Sequence, residues 1–225
     1  MANRNPRKRM PVNGSSRTFP KPSLTVDVVL WSTQKGKLGL WLIQRKTDPF
    51  RKHWALPGGF VDAYEPLQKA AARELAEETG LKKMESAFVE LGAFGDPGRD
   101  PRGWTVSVVF MAWAEAGQLK LKAGDDASKV KWYPINKLPK LAFDHAKIID
   151  RAQASLSDQL HRLLFNSPHW PKRFRWSKLK AVYSHFHLNA ADVKALKARW
   201  IKEGLLVKTR SKSGKKRFEL KAPKP

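Results

Sequence analysis

The chain has 225 residues, of which 44 are basic and 20 acidic, so its formal net charge is +24. That length can bury a hydrophobic core in one domain or two, and the lack of cysteine excludes disulfides, thiolate metal sites and a cysteine nucleophile. No apolar run approaches the ~20 residues needed to cross a bilayer and no secretory signal is recognisable, so we expect a cytoplasmic protein without a membrane partner.

The positive charge is concentrated at the two ends of the chain. Residues 24–165 hold 21 basic and 17 acidic side chains, whereas residues 166–225 hold 17 basic and three acidic ones. Residues 1–22 are basic, rich in proline and asparagine, and without periodicity, which predicts a mobile tail. Charge distributed in this way points to a polyanionic partner, with nucleic acid favoured over a membrane surface.

The folded chain is predicted to begin near Leu24. Residue composition and alternation predict strands at 25–31 and 38–45 joined by a turn at 32–37, and further strands at 87–94, 104–114 and 130–134. A polar loop is expected at 120–128, and apolar spacing predicts a helix from about Leu141 to Phe165. Strands that enclose one helix and precede another indicate an α/β/α sandwich with a mixed sheet over residues 23–165.

A glutamate-rich helix is predicted within residues 59–81, which read GFVDAYEPLQKAAARELAEETGL. Glu74, Glu77 and Glu78 stand at i, i+3 and i+4, so a helix places their carboxylates on one face. Like charges at this spacing repel one another, and a divalent cation would remove the conflict. Carboxylate oxygens suit Mg²⁺ or Mn²⁺. The alternative interpretation is a solvated acidic helix.

The same stretch resembles the Nudix box, G-x5-E-x7-R-E-U-x-E-E-x-G-U, in which U is a bulky aliphatic residue. Every fixed position is filled, by Gly59, Glu65, Arg73, Glu74, Leu75, Glu77, Glu78, Gly80 and Leu81. The resemblance implies hydrolysis of a nucleoside diphosphate linked to another moiety, with Glu74, Glu77, Glu78 and the carbonyl of Gly58 as metal ligands. Glu65 and Arg73 are expected to form an ion pair that holds the loop against the helix.

The general base stays open at this point. Glu77 or Glu78 could activate water directly, while some family members use an acidic residue of a later loop. Asp125 and Asp126 are candidates for that second scheme, and their alternative role is as solvated turn residues.

Other segments resemble the ADP-ribose pyrophosphatase branch of the family. They are Thr25-Val-Asp-Val-Val, Leu42-Ile-Gln-Arg, Trp54-Ala-Leu-Pro-Gly-Gly-Phe-Val, Arg99-Asp-Pro-Arg-Gly and Phe143-Asp-His. That branch includes the NrtR-type regulators of NAD metabolism, which join a Nudix domain to a winged helix, bind an ADP-ribose-like effector and often carry a degraded box. The intact box here favours hydrolysis of ADP-ribose to AMP and ribose 5-phosphate. The alternative is a regulator with little or no hydrolysis, and either resemblance implies a homodimer.

The resemblance also suggests candidate ligand contacts. Arg45, Arg99 and Arg102 would bind phosphate through their forked guanidinium donors. Phe60 or Phe94 would stack on adenine, and His145 would touch the ligand. Each has a structural alternative: the arginines as exposed charges, the phenylalanines as core residues and the histidine as a structural group.

The C-terminal segment, residues 166–225, is predicted to be a separate small domain. Helical apolar spacing around Trp176 and again around Trp200, followed by two strands flanking a basic turn at 209–216, predicts a winged helix-turn-helix. Its candidate DNA contacts are Lys194, Lys197, Arg199, Lys202, Lys208, Arg210, Lys212, Lys215, Lys216 and Arg217. The alternative is a basic appendage that binds nothing.

Overall fold

The computed structural model describes residues 20–84, 87–114, 127–183, 190–211 and 213–222. Its strands are β1 (Ser23–Gln34), β2 (Lys37–Arg45), β3 (Trp54–Ala55), β4 (Gly58–Phe60), β5 (Val89–Phe94), β6 (Thr105–Trp113), β7 (Ala127–Pro134), β8 (Leu206–Arg210) and β9 (Lys216–Leu220). Its helices are α1 (Leu67–Thr79), α2 (His145–Asn166), α3 (Trp176–Tyr183) and α4 (Ala190–Lys202), with one 3-10 turn at Ile135–Lys137. Asp125, Asp126 and Lys212 lie outside the described residues.

The first hairpin is tighter than the sequence predicts. Ser32 and Thr33 still pair with β2, so the turn between β1 and β2 contains only Lys35 and Gly36. Both have positive φ angles, 46° and 71°. A two-residue turn of this kind matches the right-handed twist of the flanking strands, which explains why the strands extend into the predicted turn.

A seven-stranded mixed sheet forms the centre of the molecule. Strand β1 runs parallel to β6 and antiparallel to β2 and β4, and β5 pairs antiparallel with β6 at one edge. Strands β3 and β7 both pair with β2. Strand β7 begins at Ala127, inside the loop predicted at 120–128.

The two faces of this sheet are covered by different helices. Alternate β1 residues Val26, Val28 and Leu30 are buried with the inner face of α1, which includes Leu75. Their neighbours on β1 point to the opposite face and join a second core that includes Ile148 of α2. The predicted α/β/α sandwich is confirmed.

Helix α2 continues from the sandwich into the C-terminal segment. Its last turns contribute Leu160, Leu163 and Leu164 to one continuous core that also contains Trp170, Phe174, Leu179, Trp200, Leu206 and Phe218. In this segment the elements follow in the predicted order of two helices and a two-stranded antiparallel hairpin. In the described ranges, no helix is long and apolar enough to span a membrane.

Candidate active site

A cavity of about 400 Å³ lies at the sheet, beside α1 and the start of α2. Glu74 and Glu78 of α1 line one side, and Arg45 and Arg102 also face it. Carboxylates suited to cations therefore share a cavity with guanidinium groups suited to anions. The helix of the Nudix-box stretch and the segments that contain Arg45 and Arg102 meet at this cavity although they lie far apart in the chain.

The paired glycines after Pro57 bring the backbone close to the carboxylates. The N–H of Gly58 donates to Glu78 Oε2 at 2.8 Å. A Cβ on Gly58 would lie 2.1 Å from the carbonyl oxygen of Val26, and Gly58 has φ of +155°. A Cβ on Gly59 would lie 2.5 Å from Glu74 Oε1. Position 58 therefore requires glycine, whereas a side chain at position 59 would displace the Glu74 carboxylate. The loop is held against α1 through Glu78.

Arg73 connects the loop before α1 to the acidic face of that helix. Its Nε and Nη2 donate to the two oxygens of Glu65 at 2.9 and 2.8 Å, and Nη2 also donates to the carbonyl of Phe60. Its Nη1 donates to Glu74 at 2.8 Å and to Glu77 at 3.3 Å. The hydrogen bond from Arg73 lowers the pKa of Glu65, and that of Arg73 is raised chiefly by its bond to Glu65. The expected Glu65–Arg73 pair is present.

The three motif glutamates are not equivalent. Glu78 is buried and, like Glu74, lines the cavity, whereas the Glu77 side chain is 58% exposed and does not line it. Within the described ranges, no three histidine or acidic side chains are gathered as a metal site. Glu74 and Glu77 are both held by Arg73, so the cluster is arranged around the guanidinium.

The donor set nevertheless fits a hard divalent cation. Glu74, Glu78 and the Gly58 backbone offer oxygen atoms at one wall of the cavity, and Gly59 leaves the space next to Glu74 clear of a side chain. Mg²⁺ and Mn²⁺ prefer such ligands and retain water and phosphate oxygens as further ones. Glu77 would become a further ligand of the cation only if its carboxylate gave up its hydrogen bond to Arg73.

Arg45 and Arg102 are ordered around an aromatic ring that sequence reasoning did not single out. Their guanidinium carbons lie 4.8 and 5.6 Å from the ring centroid of Phe143, and Arg102 also lies 5.1 Å from the Phe60 ring. Burial lowers the pKa of Arg45, and the charge of Arg102 lowers it further. Two cations held together in a cavity in this way favour an anionic ligand.

Asp100 fixes the position of Arg102. Its carboxylate accepts bonds from Arg102 Nε at 3.0 Å and Nη2 at 2.7 Å, and from the backbone N–H of Arg102 at 2.9 Å. Burial acts to raise the pKa of Asp100, but the bonds to Arg102 outweigh it and the pKa is lowered. Asp100 is therefore an ionised positioning group for Arg102.

Arg99 is already engaged by carboxylates. It makes a two-pronged ion pair with Asp144, at 3.0 and 2.8 Å, and lies 3.6 Å from Asp27. Its side chain is 5% exposed. Ser107 Oγ donates to Asp27 at 2.5 Å. Arg99 lines the cavity, but its geometry is that of a structural clamp between the loop before β6 and the start of α2, and its predicted contact with phosphate stays a prediction.

His145 also lines the cavity and has a structural partner. The N–H of Leu56 donates to its Nδ1 at 2.9 Å, so the ring proton is on Nε2, which lies 3.4 Å from Asp27 Oδ1. Burial lowers the pKa of His145. The neutral ring thus anchors the strand that leads into Gly58 and Gly59.

The remaining predicted ligand residues differ in placement. Phe60 is half-exposed and lines the cavity, whereas Phe94 is absent from the lining and packs against the main core. Asp27, Asp100, Phe143 and Asp144 were not identified as site residues. A charged residue within the apolar run of β1 is the signal that could have identified Asp27.

The predicted DNA-contact residues surround α4 and the hairpin of β8 and β9. Lys194, Arg199 and Lys202 on α4 and Lys208, Arg210, Lys215 and Lys216 on the hairpin are exposed, whereas Lys197 and Arg217 are half-buried. The inner face of α4 carries Val193, Leu196 and Trp200, as expected.

Comparison with known proteins places this chain in a family. The NUDIX domain model matches residues 21–152. The chain is 45% identical over 134 residues to the ADP-ribose pyrophosphatase of Methanocaldococcus jannaschii, covering 59% of this chain and 74% of that protein. It is 33% identical over 196 residues to the "ADPR responsive transcriptional repressor NtrR" of Acinetobacter baylyi, covering 85% of this chain and 77% of the repressor. The crystal structure of Shewanella oneidensis NrtR complexed with a 27mer DNA superposes with a TM-score of 0.70 at 29% identity, covering 88% of this chain and 93% of that one.

Proposed function

Since this chain belongs to the NUDIX domain family, we propose that it is a metal-dependent hydrolase that cleaves ADP-ribose to AMP and ribose 5-phosphate. The observation that carries the proposal is the composition of one cavity, with Glu74 and Glu78 on one side and Arg45 and Arg102 facing them. Hydrolysis of a diphosphate linkage requires two things of such a cavity. Carboxylate oxygens must hold a metal ion next to the phosphate oxygens, and fixed positive charges must surround those phosphate oxygens. The similarity to the M. jannaschii enzyme supports ADP-ribose as the substrate.

The reaction consumes one water molecule. Its oxygen bonds to one phosphorus, the bond from that phosphorus to the bridging oxygen breaks, and the bridging oxygen leaves on the other phosphate. Mg²⁺ or Mn²⁺, when bound by Glu74, Glu78 and the Gly58 carbonyl, with Glu77 as a further ligand, would neutralise phosphate oxygens and acidify a water.

The protein's own contribution is to position and neutralise the substrate. Arg45 and Arg102, ordered by Phe143, offer donors to the diphosphate. Phe60 gives an aromatic surface at the cavity for stacking on adenine. Arg73 and Glu65 hold the loop and helix that carry the carboxylates. Glu77 or Glu78 is the proposed base.

The test is AMP release from ADP-ribose with Mg²⁺, measured across a panel of nucleoside diphosphate derivatives. The variant Glu78→Gln keeps an oxygen for the Gly58 N–H but loses the charge, and we expect kcat to fall by about 100-fold or more. Glu90→Gln, at an exposed position of β5 outside the cavity, is the matched control and should retain full activity. If the unchanged chain turns over no substrate of the panel, the proposed hydrolase function is wrong. If Glu78→Gln turns over substrate as fast as the unchanged chain, the assignment of the active site is wrong.

A second function is favoured by the basic C-terminal segment. Its 17 basic and three acidic residues and the similarity to a DNA-bound NrtR support a winged-helix domain that binds DNA. In that case the same cavity would take an ADP-ribose-like effector, and the protein would act as a regulator, as a homodimer by analogy with the family. The two functions are compatible in one chain.

Retardation of DNA fragments with and without ADP-ribose tests this second function. We expect binding that weakens steeply with salt and that changes when ADP-ribose is added. Unchanged retardation on addition of the nucleotide would argue against effector control. Salt-independent or absent binding would argue against the DNA-binding function itself.

A further inference from the structure

The carboxylate of Asp27 connects three elements beside the cavity, which Asp27 also lines. It accepts a hydrogen bond from Ser107 Oγ on β6 at 2.5 Å, and it lies 3.6 Å from Arg99 Nη2 in the loop before β6. Its Oδ1 lies 3.4 Å from His145 Nε2 at the start of α2. The Asp27 side chain is only 9% exposed, and an acidic side chain at this depth requires such partners. These contacts therefore hold the carboxylate in one place.

Asp27 is also adjacent to the segment from Leu56 to Gly58. In the pairing of β1 with β4 it stands opposite Gly58, and a Cβ on Gly58 would lie 3.0 Å from Asp27 Oδ1. The next residue of β1, Val28, donates its N–H to the carbonyl of Pro57 at 2.8 Å. The Asp27 carboxylate therefore occupies the space that a side chain on Gly58 would need.

His145 connects this carboxylate to the same segment from another side. Its Nδ1 accepts the N–H of Leu56 at 2.9 Å, so Nε2 carries the ring proton and faces Asp27 Oδ1. Which nitrogen of a histidine is protonated is set by the partner of the other nitrogen. A ring held at both nitrogens keeps one tautomer and one orientation, so Asp27 stabilises the acceptor on which the Leu56 N–H depends.

Asp27 does not have the geometry of a further metal ligand. Its Oδ2 faces the Ser107 hydroxyl and Arg99, and its Oδ1 faces the protonated nitrogen of His145. A cation would have to displace these donors to reach either oxygen. The role that these contacts support is to hold neighbouring groups in place.

We propose that Asp27 is a positioning residue for diphosphate hydrolysis, which acts through His145 on the segment from Leu56 to Gly58. The N–H of Gly58 donates to Glu78 and its carbonyl is a proposed metal ligand, so a shift of this segment would disturb two parts of the metal site. The inference rests on the hydrolase function proposed above and deepens it by adding a residue outside the glutamate-rich helix.

Asp27→Ala removes the acceptor next to His145 Nε2. Replacing a partner of metal-binding groups typically lowers metal affinity or activity by about 10- to 100-fold, and we expect kcat for ADP-ribose to fall by that factor. KM should change little, because Arg45 and Arg102 are held by other groups. Asp27→Asn keeps an oxygen that can accept from Nε2, so its kcat should lie closer to that of the unchanged chain. An Asp27→Asn variant as slow as Asp27→Ala would overturn the role as acceptor.

Ser167→Ala is the matched control for the loss of a buried polar group. Ser167 Oγ donates to the carbonyl of Trp113 at 2.6 Å, and Ser167 does not line the cavity. This variant should lower the melting temperature and leave kcat unchanged. If kcat falls as far in Ser167→Ala as in Asp27→Ala, destabilisation alone explains the effect and the positioning role is wrong.

A double-mutant cycle examines whether Asp27 acts through His145. If it does, the variant that carries both Asp27→Ala and His145→Ala should have a kcat no lower than that of His145→Ala alone. Independent effects would multiply in the double variant, and that result would overturn the route through His145.

Hydrogen exchange of the Leu56 amide requires neither metal nor turnover. His145 Nδ1 holds this N–H, and in Asp27→Ala it should exchange faster than the change in global stability explains, by a factor on the order of ten. In Ser167→Ala its exchange should follow global stability alone. Unchanged protection of Leu56 in Asp27→Ala overturns the positioning role. If the unchanged chain hydrolyses no nucleotide, the hydrolase function fails, and the exchange of Leu56 still decides whether Asp27 holds this segment.

Discussion

Gly59 lies where a side chain would displace a proposed metal ligand. A Cβ at this position would lie 2.5 and 2.7 Å from the two Glu74 oxygens. Because these atoms are at the end of a flexible side chain, Gly59→Ala should cost little stability while it moves the carboxylate away from the cavity. We expect kcat to fall by roughly 100-fold with a nearly unchanged melting temperature.

The control for Gly59→Ala is a glycine whose replacement affects only the backbone. Gly36 has φ of +71° and open space around its Cβ position. Gly36→Ala should therefore lower the melting temperature through backbone strain and leave kcat as it is. Normal kcat in Gly59→Ala would show that the carboxylate position does not matter for hydrolysis.

The Glu65–Arg73 ion pair leads to a prediction on pH. The pKa of Glu65 is lowered by its bond to Arg73, so the native state holds the ionised form more strongly than the unfolded chain does. The stability that it contributes is present above the ordinary glutamate pKa of about 4.3 and is lost as the pH falls through the lower native value. The difference in melting temperature between the unchanged chain and Glu65→Gln should thus be constant near neutrality and shrink in acid. A difference that is unaffected by acid would contradict the pair's role.

The site residues that could be predicted from the sequence are those whose partners are close in the chain. Glu65, Arg73, Glu74 and Glu78 lie within fourteen residues, and helical spacing with the box motif was enough to relate them. Asp27 and Ser107 are 80 residues apart, and only the parallel pairing of β1 with β6 brings them together. No local spacing carries that information.

At the scale of elements, residue periodicity located most strands and helices but was less reliable for the residues at which they begin and end. Strand β7 starts at Ala127, within the loop predicted at 120–128, because its first residues pair with β2 through an irregular register near Arg45. Strand β8 likewise runs to Arg210, within the basic turn predicted at 209–216. In both cases pairing with a neighbouring strand outweighs the polar composition, since cross-strand contacts stabilise the extended chain.

Helix α2 joins the two proposed functional regions through a histidine near each end. His145 accepts the N–H of Leu56 beside the cavity. His161, sixteen residues later, donates from Nε2 to the carbonyl of Leu205 at 3.2 Å, and its ring packs nearly perpendicular to that of Trp200, with 4.7 Å between the ring centroids. One continuous helix is thus tied to the segment before Gly58 and Gly59 at its start and to the C-terminal segment near its end.

Alanine substitutions at these two histidines should have different effects on hydrolysis. His145→Ala leaves the buried Leu56 N–H without its acceptor, at a cost of about 1–3 kcal/mol, and should lower kcat because the glycine loop loses its anchor. His161→Ala should lower stability by a similar amount and leave kcat unchanged. Thermal melting curves compare the stability of the two variants, and AMP release from ADP-ribose compares their kcat. Equal loss of kcat in the two variants would contradict separate roles for the two ends.

At the scale of the whole molecule, the two parts share one hydrophobic core. We propose residue 166 as the boundary between the domains, yet Leu160, Leu163 and Leu164 before it are fully buried together with Leu179, Trp200 and Leu206 after it. The charge difference between the two parts therefore does not imply that they fold independently. Opening of the C-terminal part alone would uncover the last turns of α2, with Leu160, Leu163 and Leu164.

Unfolding should consequently be one cooperative event for the described parts of both domains. Leu163→Ala removes a fully buried side chain from the shared core, and we expect a loss of about 2–5 kcal/mol. Calorimetry should show a single transition with equal calorimetric and van 't Hoff enthalpies, and the variant should shift that transition as a whole. Hydrolysis and DNA retention, followed against temperature, should then be lost together. Two separated transitions, with only the C-terminal one shifted by Leu163→Ala, would show that the domains unfold independently in spite of their common core.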